Sequence, residues 1–352
     1  VITILHGDCR DVLRTLPSAS VQCVVTSPPY WGLRDYGVAG QLGMELTYQE
    51  HIRVMVEVFR EVRRVLRADG TLWLNYGDCY ATSVNGRSAA DTKAVGNDDR
   101  TFRDKPFSTI QGALKPKDLV MMPARIAIAL QEDGWWLRSD IIWAKPNPMP
   151  ESITDRPATS HEHIFLLAKS ARYFYDAEAV REPCESGPSD LRKMAEALPR
   201  IGGKHKTLDD PKSKASAATN IGQRRSVGGK PLKQDGHGNR HAGFNARWDE
   251  AEKAGETLIG RNCRSVWTIA TAPLREAHFA TFPPALAERC ILAGSGRGDM
   301  VLDPFGGAGT VGLVADRLGR NATLIELNPE YCTMAERRVT KDAGLFAQVA
   351  TA

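Results

Sequence analysis

Met300-Val301-Leu302-Asp303-Pro304-Phe305-Gly306-Gly307-Ala308-Gly309-Thr310 reads as a short apolar strand that breaks into a glycine-rich turn. A helix follows and ends near Gly319, and the next apolar run, Ala322 to Ile325, is a second strand closed by Glu326. Strand, glycine turn, helix, strand and acid is the dinucleotide-type layout. Its glycines let the backbone approach a ligand, and its acid takes a ribose diol. The pattern suits NAD and S-adenosylmethionine alike, because both carry that diol. It does not suit a P-loop, since Gly309-Thr310 lacks the lysine that should stand between glycine and hydroxyl residue.

The same alternation extends through the first half of the chain. Ile2 to Leu5 is a strand that ends in His6-Gly7-Asp8, with a helix from about Cys9 to Leu16. Asp8 stands where an acid either caps that helix or takes a ligand's amino group. Val21 to Val25 is a buried strand, Tyr48 to Arg67 an amphipathic helix stopped by Asp69-Gly70, and Thr71 to Asn75 a strand. Leu119 to Leu130 is helical, and Leu137 to Trp143 and Glu162 to Ala168 are strands. After the glycine turn, a last helix covers about Pro329 to Lys341, and the final ten or so residues should fray. Strands alternating with helices predict an α/β fold with a mostly parallel sheet covered on both faces.

The Val21 strand runs into Thr26-Ser27-Pro28-Pro29-Tyr30-Trp31. Two prolines forbid both helix and ladder, so the chain leaves the sheet in a rigid turn. That turn offers a hydroxyl, carbonyls without regular partners and an aromatic face, a set able to grip a planar ring bearing an amino group. Residues 32 to 47 are glycine-rich and irregular, and 77 to 112 read as a long polar surface loop.

Composition narrows the class. At 352 residues, 42% hydrophobic and 25% charged, the chain has the balance of a globular protein, and no apolar run approaches the roughly 20 residues of a membrane span. Val1 to Leu5 carries no basic flank or cleavage site, so no signal peptide is expected. Seven cysteines without a CxxC pair argue against structural zinc and a disulfide framework, and suit a reducing cytoplasm. The net charge is only +4, so affinity for nucleic acid must come from local clustering. Such a cluster exists: residues 201–248 hold ten basic side chains, Lys204, Lys206, Lys212, Lys214, Arg224, Arg225, Lys230, Lys233, Arg240 and Arg247, against Asp209, Asp210 and Asp235. This is a phosphate footprint, although a solvated insertion would share it.

Taken together, Asp303-Pro304-Phe305-Gly306-Gly307-Ala308-Gly309-Thr310, the Ser27-Pro28-Pro29-Tyr30 turn, the basic insertion and His278-Phe279-Ala280-Thr281-Phe282-Pro283 resemble the amino-DNA methyltransferases. The order is similar to their β group, where the target-base turn comes first and the cofactor loop last. Lys145-Pro146-Asn147-Pro148-Met149-Pro150-Glu151-Ser152 looks like the orphan and phage-associated members of that family. The resemblance covers nearly all of residues 1–180 and 264–340. It implies a Rossmann-like S-adenosylmethionine-dependent fold with circularly permuted motif order and a seven-stranded sheet. It also implies three segments: a target-base half (1–180), a target-recognition insertion (181–263) and a cofactor half (264–352).

By the same resemblance, Asp303, Phe305, Gly307, Gly309 and Thr310 would line the methionine and ribose of S-adenosylmethionine, and Glu326 would hold the ribose hydroxyls. Asp8 and the amide of Cys9 would meet its adenine. His278, Ala280, Thr281 and Phe282 would close over the methionine tail. Ser27, Pro28, Pro29 and Tyr30 would hold the target base, and Arg34 would join Lys204, Lys206, Arg224, Arg225, Lys230, Lys233, Arg240 and Arg247 on double-stranded DNA. A homodimer located in the cytoplasm at the nucleoid, with no metal and no partner nuclease, completes the expectation.

An exocyclic amine is a poor nucleophile because its lone pair is delocalised into the ring. Ser27 and the Pro28 carbonyl could accept both N–H hydrogens and favour a tetrahedral nitrogen, an interaction that strengthens as charge develops. The base must leave the duplex to be reached, and Tyr30 would stack on it. No cysteine nucleophile is needed, and Pro183-Cys184, the one Pro-Cys pair, lies in the variable region. Within the family, Ser at the first position of the turn leans to cytosine N4 and Asp to adenine N6. The longer Pro28-Pro29-Tyr30-Trp31-Gly32-Leu33-Arg34-Asp35-Tyr36 run resembles adenine methylators, so adenine N6 is slightly favoured, with cytosine N4 as the alternative. Methylation of RNA or of protein glutamine, and a catalytically silent DNA-binding regulator, are the remaining readings.

Overall fold

A computed structural model describes residues 1–83, 107–183, 261–272, 282–343 and 349–351. The chain divides into two units, Val1–Val180 with Cys263–Ala352, and Arg181–Asn262. In the first unit the elements run β1 (Ile2–His6), α1 (Cys9–Thr15), β2 (Val21–Thr26), α2 (Tyr48–Val65), β3 (Leu66–Tyr76), α3 (Met122–Glu132), β4 (Trp136–Ala144) and β5 (His161–Ala168). They continue with β6 (Val266–Thr268), α4 (Pro284–Gly294), β7 (Met300–Asp303), α5 (Thr310–Arg317), β8 (Asn321–Glu326), α6 (Pro329–Ala343) and β9 (Val349–Thr351).

The strands form one sheet in the order β6-β4-β5-β3-β2-β7-β8-β1-β9. Every neighbouring pair is parallel except those made by β5, which runs against both β3 and β4. Nine strands stand among the described residues where seven were expected. The two additional ones, β6 and β9, are three-residue strips on the outer edges. They cover backbone groups that β4 and β1 would otherwise expose. The expected fraying of the C-terminus therefore fails at Val349–Thr351, which pair with Ile2–Ile4.

Two apolar layers sandwich the sheet. One packs Leu13, Val58, Phe59, Val62, Ile126 and Leu130, from α1, α2 and α3, against Val24, Leu72 and Leu74. The other packs Leu286, Ile291, Val311, Val314 and Val339, from α4, α5 and α6, against Cys23, Val25 and Val301. Each large side chain buried this way contributes about 1.5–3 kcal/mol of transfer free energy. α2 starts where the Thr47 hydroxyl accepts from the Glu50 amide, and it ends at Val65 rather than Arg67. Leu66 turns extended there to pair with Val21, so β3 begins five residues before the expected Thr71.

β2 and β7 lie side by side at the centre, with Cys23 opposite Val301 and Val24 opposite Leu302. From β7 the connection through α5 moves to β8 on one side, and from β2 the connection through α2 moves to β3 on the other. That reversal opens a crevice at the carboxyl ends of β2 and β7. Among the described residues no helix is long and apolar enough to cross a membrane.

Candidate active site

The turn after β7 is held by its own first residue. Asp303 Oδ1 accepts from the Phe305 amide at 3.0 Å and from the Thr26 hydroxyl at 2.6 Å. Burial pushes the Asp303 carboxyl up to about 7; the bonds from Thr26 and Phe305 oppose the shift, and the nearby Glu326 charge adds to it. Gly307 (φ +50°) and Gly309 (φ +77°) both stand in the left-handed region, where a side chain is strained. A Cβ on Gly309 would lie 2.7 Å from the Ala335 Cβ, so that glycine also lets α6 approach the turn. Glu326, at the end of β8, accepts from the Gly307 amide through Oε2 and from the Asn328 amide through Oε1, each at 2.7 Å. Burial raises its pKa against those two bonds.

Asp8 caps α1, the first of the two parts the sequence allowed for it, and it also lines the cavity. Its Oδ1 accepts from the Arg10 amide at 2.8 Å at the start of α1, and the Arg10 guanidinium closes on both carboxylate oxygens. Burial pushes that carboxyl up, but the Arg10 hydrogen bonds and charge outweigh it and hold the group below the usual carboxylate range. Arg10 Nη2 also donates to the Gly40 carbonyl at 3.1 Å, tying the irregular segment after Tyr30 to the end of β1. The Cys9 thiol beside it is buried and pushed up to about 12, so it stays a thiol.

The Ser27-Pro28-Pro29-Tyr30 turn is anchored from behind by Trp31, which is buried. The Trp31 amide donates to the Tyr76 hydroxyl at 3.1 Å, and its indole N–H donates to the Glu45 carbonyl at 2.9 Å. Buried His51 joins Tyr76 (2.7 Å) to Glu45 (2.7 Å). Tyr30 leans on Tyr76, with ring centroids 4.6 Å apart. It packs over Gly77, where a Cβ would lie 2.7 Å from the Tyr30 ring.

In front, five side chains from distant parts of the chain converge. The Tyr30 hydroxyl donates to Glu162 Oε2 at 2.8 Å and lies 3.1 Å from Ser27 Oγ. Asn75 Nδ2 donates to the Tyr30 oxygen (2.5 Å) and to Glu162 Oε2 (2.6 Å), while its own Oδ1 is buried and unmatched among the described residues. Lys145 donates to Glu162 Oε1 and rests over the Trp143 ring, 4.5 Å from its centroid. Burial, reinforced by the Glu162 charge, drives the Tyr30 pKa well above the ordinary phenol range.

Both half-sites open into one cavity of about 320 Å³, within the range of small-molecule sites. Ser27, Pro28, Pro29 and Tyr30 line it together with Asp8, Cys9, Phe282, Asp303, Phe305, Gly307, Thr310 and Glu326. Arg34, expected on DNA, also lines it, beside Tyr36 and Tyr331. Gly309 does not; its part is conformational. His278, Ala280 and Thr281 lie outside the described residues, as do Lys204, Lys206, Arg224, Arg225, Lys230, Lys233, Arg240 and Arg247. Sequence reasoning assigned no role to Thr26, Asn75, Trp143, Lys145 or Glu162. A signal in the sequence existed for Lys145 alone. Lys145 follows β4 at a proline break, and antiparallel pairing sets Trp143 opposite Glu162.

Comparison with known proteins bears on this geometry. The family model for N6/N4 methyltransferases, described as DNA methylase, matches residues 21–337. The type II methyltransferase M.XycI of Xanthomonas campestris pv. cyanopsidis is 42% identical over 350 residues, covering 99% of this chain and 91% of that protein. M.SmaI of Serratia marcescens, also named a type II methyltransferase, is 41% identical over 338 residues, covering 96% and 90%. These relatives are type II enzymes, not the orphan or phage-associated kind that the proline-rich stretch after Lys145 suggested. The fold is shared with TTHA0409 of Thermus thermophilus, a putative DNA modification methylase solved with S-adenosyl-L-methionine. That likeness has a TM-score of 0.54 at 24% identity over the full length of both chains.

Proposed function

The chain belongs to the DNA methylase family of N6 and N4 amino-methyltransferases, and on that premise we propose that it methylates cytosine N4 at a specific DNA site as a type II enzyme. S-adenosylmethionine is its methyl donor. The observation that carries the reading is the single cavity shared by the serine-proline turn and the glycine turn, whose walls are joined by the Thr26–Asp303 hydrogen bond.

The residues fit the donor. Each Glu326 oxygen is fixed by one backbone amide and keeps lone-pair capacity for a ribose hydroxyl. Gly307 and Phe305 would bring backbone close to the donor, and Asp8 adds a carboxylate to the lining of the same cavity. When bound, S-adenosylmethionine supplies an activated methyl on sulfonium. Against it, Ser27 Oγ and the Pro28 carbonyl accept the two N–H hydrogens of the base and draw its nitrogen toward a tetrahedral, nucleophilic form. Tyr30 and Trp143 supply aromatic faces for a base taken out of the stack.

The chemistry of the base wall favours cytosine, against the slight lean to adenine in the sequence. Both bases carry their amine beside a ring nitrogen. One atom further round, cytosine presents the carbonyl O2 and adenine a C–H. Lys145 has three N–H donors, of which Glu162 takes one, and a donor in this wall rewards the carbonyl and is left unmet by the C–H. The neutral Ser27 hydroxyl at the head of the turn leans the same way. The test is mass spectrometry of nucleosides from DNA treated with protein and labelled S-adenosylmethionine. N4-methylcytosine is expected; N6-methyladenine would overturn the choice of base, and label in neither would overturn the reaction.

A further inference from the structure

Four hydrogen bonds on the base wall fix a direction. The Tyr30 hydroxyl gives its only hydrogen to Glu162 Oε2. Asn75 Nδ2 donates to the Tyr30 oxygen and to Glu162 Oε2, so its two hydrogens are both spent. Lys145 donates to Glu162 Oε1. With the Tyr30 hydrogen committed, the 3.1 Å contact between Ser27 Oγ and Tyr30 Oη has one polarity left: Ser27 donates. The Ser27 hydrogen therefore points away from the base, and both of its lone pairs are left for an incoming amine.

We propose that Glu162 is the terminus of a proton relay, Ser27 to Tyr30 to Glu162, that makes Ser27 an acceptor before methyl transfer and carries away the amine's proton with it. The proposal rests on reading the cavity as an amine-methylating site. In the step, the base nitrogen forms a bond to the methyl carbon while the carbon–sulfur bond breaks and its electron pair stays on sulfur. The nitrogen then carries one hydrogen too many. That proton passes to Ser27 Oγ as the Ser27 proton moves to Tyr30 Oη and the Tyr30 proton to Glu162 Oε2. Ser27 and Tyr30 end as neutral hydroxyls and Glu162 as a neutral acid, which returns its proton to solvent through the cavity; its side chain is 17% exposed. Tyr30 never needs to ionise, as its raised pKa requires.

Glu162 is a positioning residue, since it acts on the base through two others. The titratable groups around it are Tyr30 and Lys145 in contact, His161 and His163 flanking it on β5, and Asp303 and Glu326 on the opposite wall. Protonating Glu162 reverses the chain. A protonated acid donates to Tyr30, Tyr30 donates to Ser27, and Ser27 loses an acceptor pair.

The test is single-turnover methylation of a duplex carrying the recognition site, measured from pH 5 to 9 with saturating cofactor. The wild-type rate should fall toward acid pH. Glu162→Gln should slow transfer on the order of 10²-fold and abolish the acid limb. Tyr30→Phe should do the same, and the double variant should be no slower than either single one. Glu162→Asp should restore part of the rate together with the acid limb. S-adenosylmethionine affinity, read by calorimetry, should change less than twofold in all four. An acid limb that survives in Glu162→Gln, or additive losses in the double variant, would overturn the relay. So would loss of cofactor affinity in every variant, which would make the cluster a scaffold. If wild-type protein methylates neither cytosine nor adenine, the reading of the site falls first, and that result is separate from any of these.

Discussion

The cofactor wall of the cavity is assembled largely within one strand–helix–strand stretch, Asp303 to Asn328, and the base wall is not. Glu326 is bonded to the amide of Gly307, 19 positions away, and to that of Asn328, two away; Asp303 is bonded to Phe305, also two away. The partners are backbone amides, one of them presented by Gly307 in a left-handed conformation that other residues avoid. On the base wall Tyr30, Asn75 and Glu162 meet across separations of 45, 87 and 132 positions, and every contact is between side chains. A backbone cradle depends on local conformation and tolerates changes of side-chain chemistry. A side-chain network depends on the sheet for its register and on each hydrogen for its direction. Substitutions should therefore fail differently on the two walls.

The largest effect is expected on the base wall. Ser27→Ala removes the acceptor without touching the sheet, and should lower the methyl-transfer rate on the order of 10²-fold or more. Cofactor affinity and melting temperature should stay within error, as rate assays, calorimetry and thermal unfolding can show. A cofactor affinity that falls in step with the rate would erase the distinction between the walls. Next is Gly309→Ala, which puts a Cβ on a residue at φ +77° and 2.7 Å from the Ala335 Cβ. It should destabilise the protein by about 1–3 kcal/mol and weaken cofactor binding with it. In single turnover at saturating cofactor the rate should hold.

The same contrast explains what could be read from the chain. The glycine turn, Glu326 and the proline turn were legible because their chemistry is written in consecutive residues. Thr26 and Asp303 could each be seen at the end of a strand, but their 2.6 Å bond depends on β2 and β7 being neighbours, and strand order is not local information. Lys145 stood in a stretch that caught the eye for its prolines. Its partner lies on the far side of a break, and only antiparallel pairing of β4 and β5 brings the two together. Asn75 read as the last residue of a strand. A polar side chain there gave no sign that both its hydrogens would be used and its oxygen left bare. The edge strand Val349–Thr351 was hidden by small residues that signal fraying, until an exposed β1 gave them something to pair with.

Within the cofactor wall, Glu326→Gln should separate charge from shape. The amide keeps one acceptor oxygen and loses the other, so a backbone amide or a ribose hydroxyl goes unmet. A loss of about tenfold in S-adenosylmethionine affinity with an unchanged single-turnover rate is expected from calorimetry and rapid quench. A rate loss without an affinity loss would assign Glu326 to the chemistry instead.

The smallest effect is a slope in pH, and its sign follows from Asp303. Burial holds this carboxyl at about 7 in the folded protein, above its ordinary 3.8. Folding thus favours the protonated form. The stability it contributes is complete below about pH 4 and is lost as pH rises to 7. A sulfonium in the cavity acts the other way, because a cation favours the carboxylate. Binding then lowers the Asp303 pKa and releases a proton, so cofactor affinity should rise a few-fold between pH 6 and 8 and level off above. Calorimetry in two buffers of different ionisation heat measures that proton directly. Asp303→Asn keeps an oxygen for the Thr26 hydroxyl and the Phe305 amide and removes the titration, so it should flatten the slope while raising the melting temperature at pH 8. An affinity that stays level or falls with pH in the unaltered protein would place the sulfonium away from Asp303. The joint between the two walls would then be structural only.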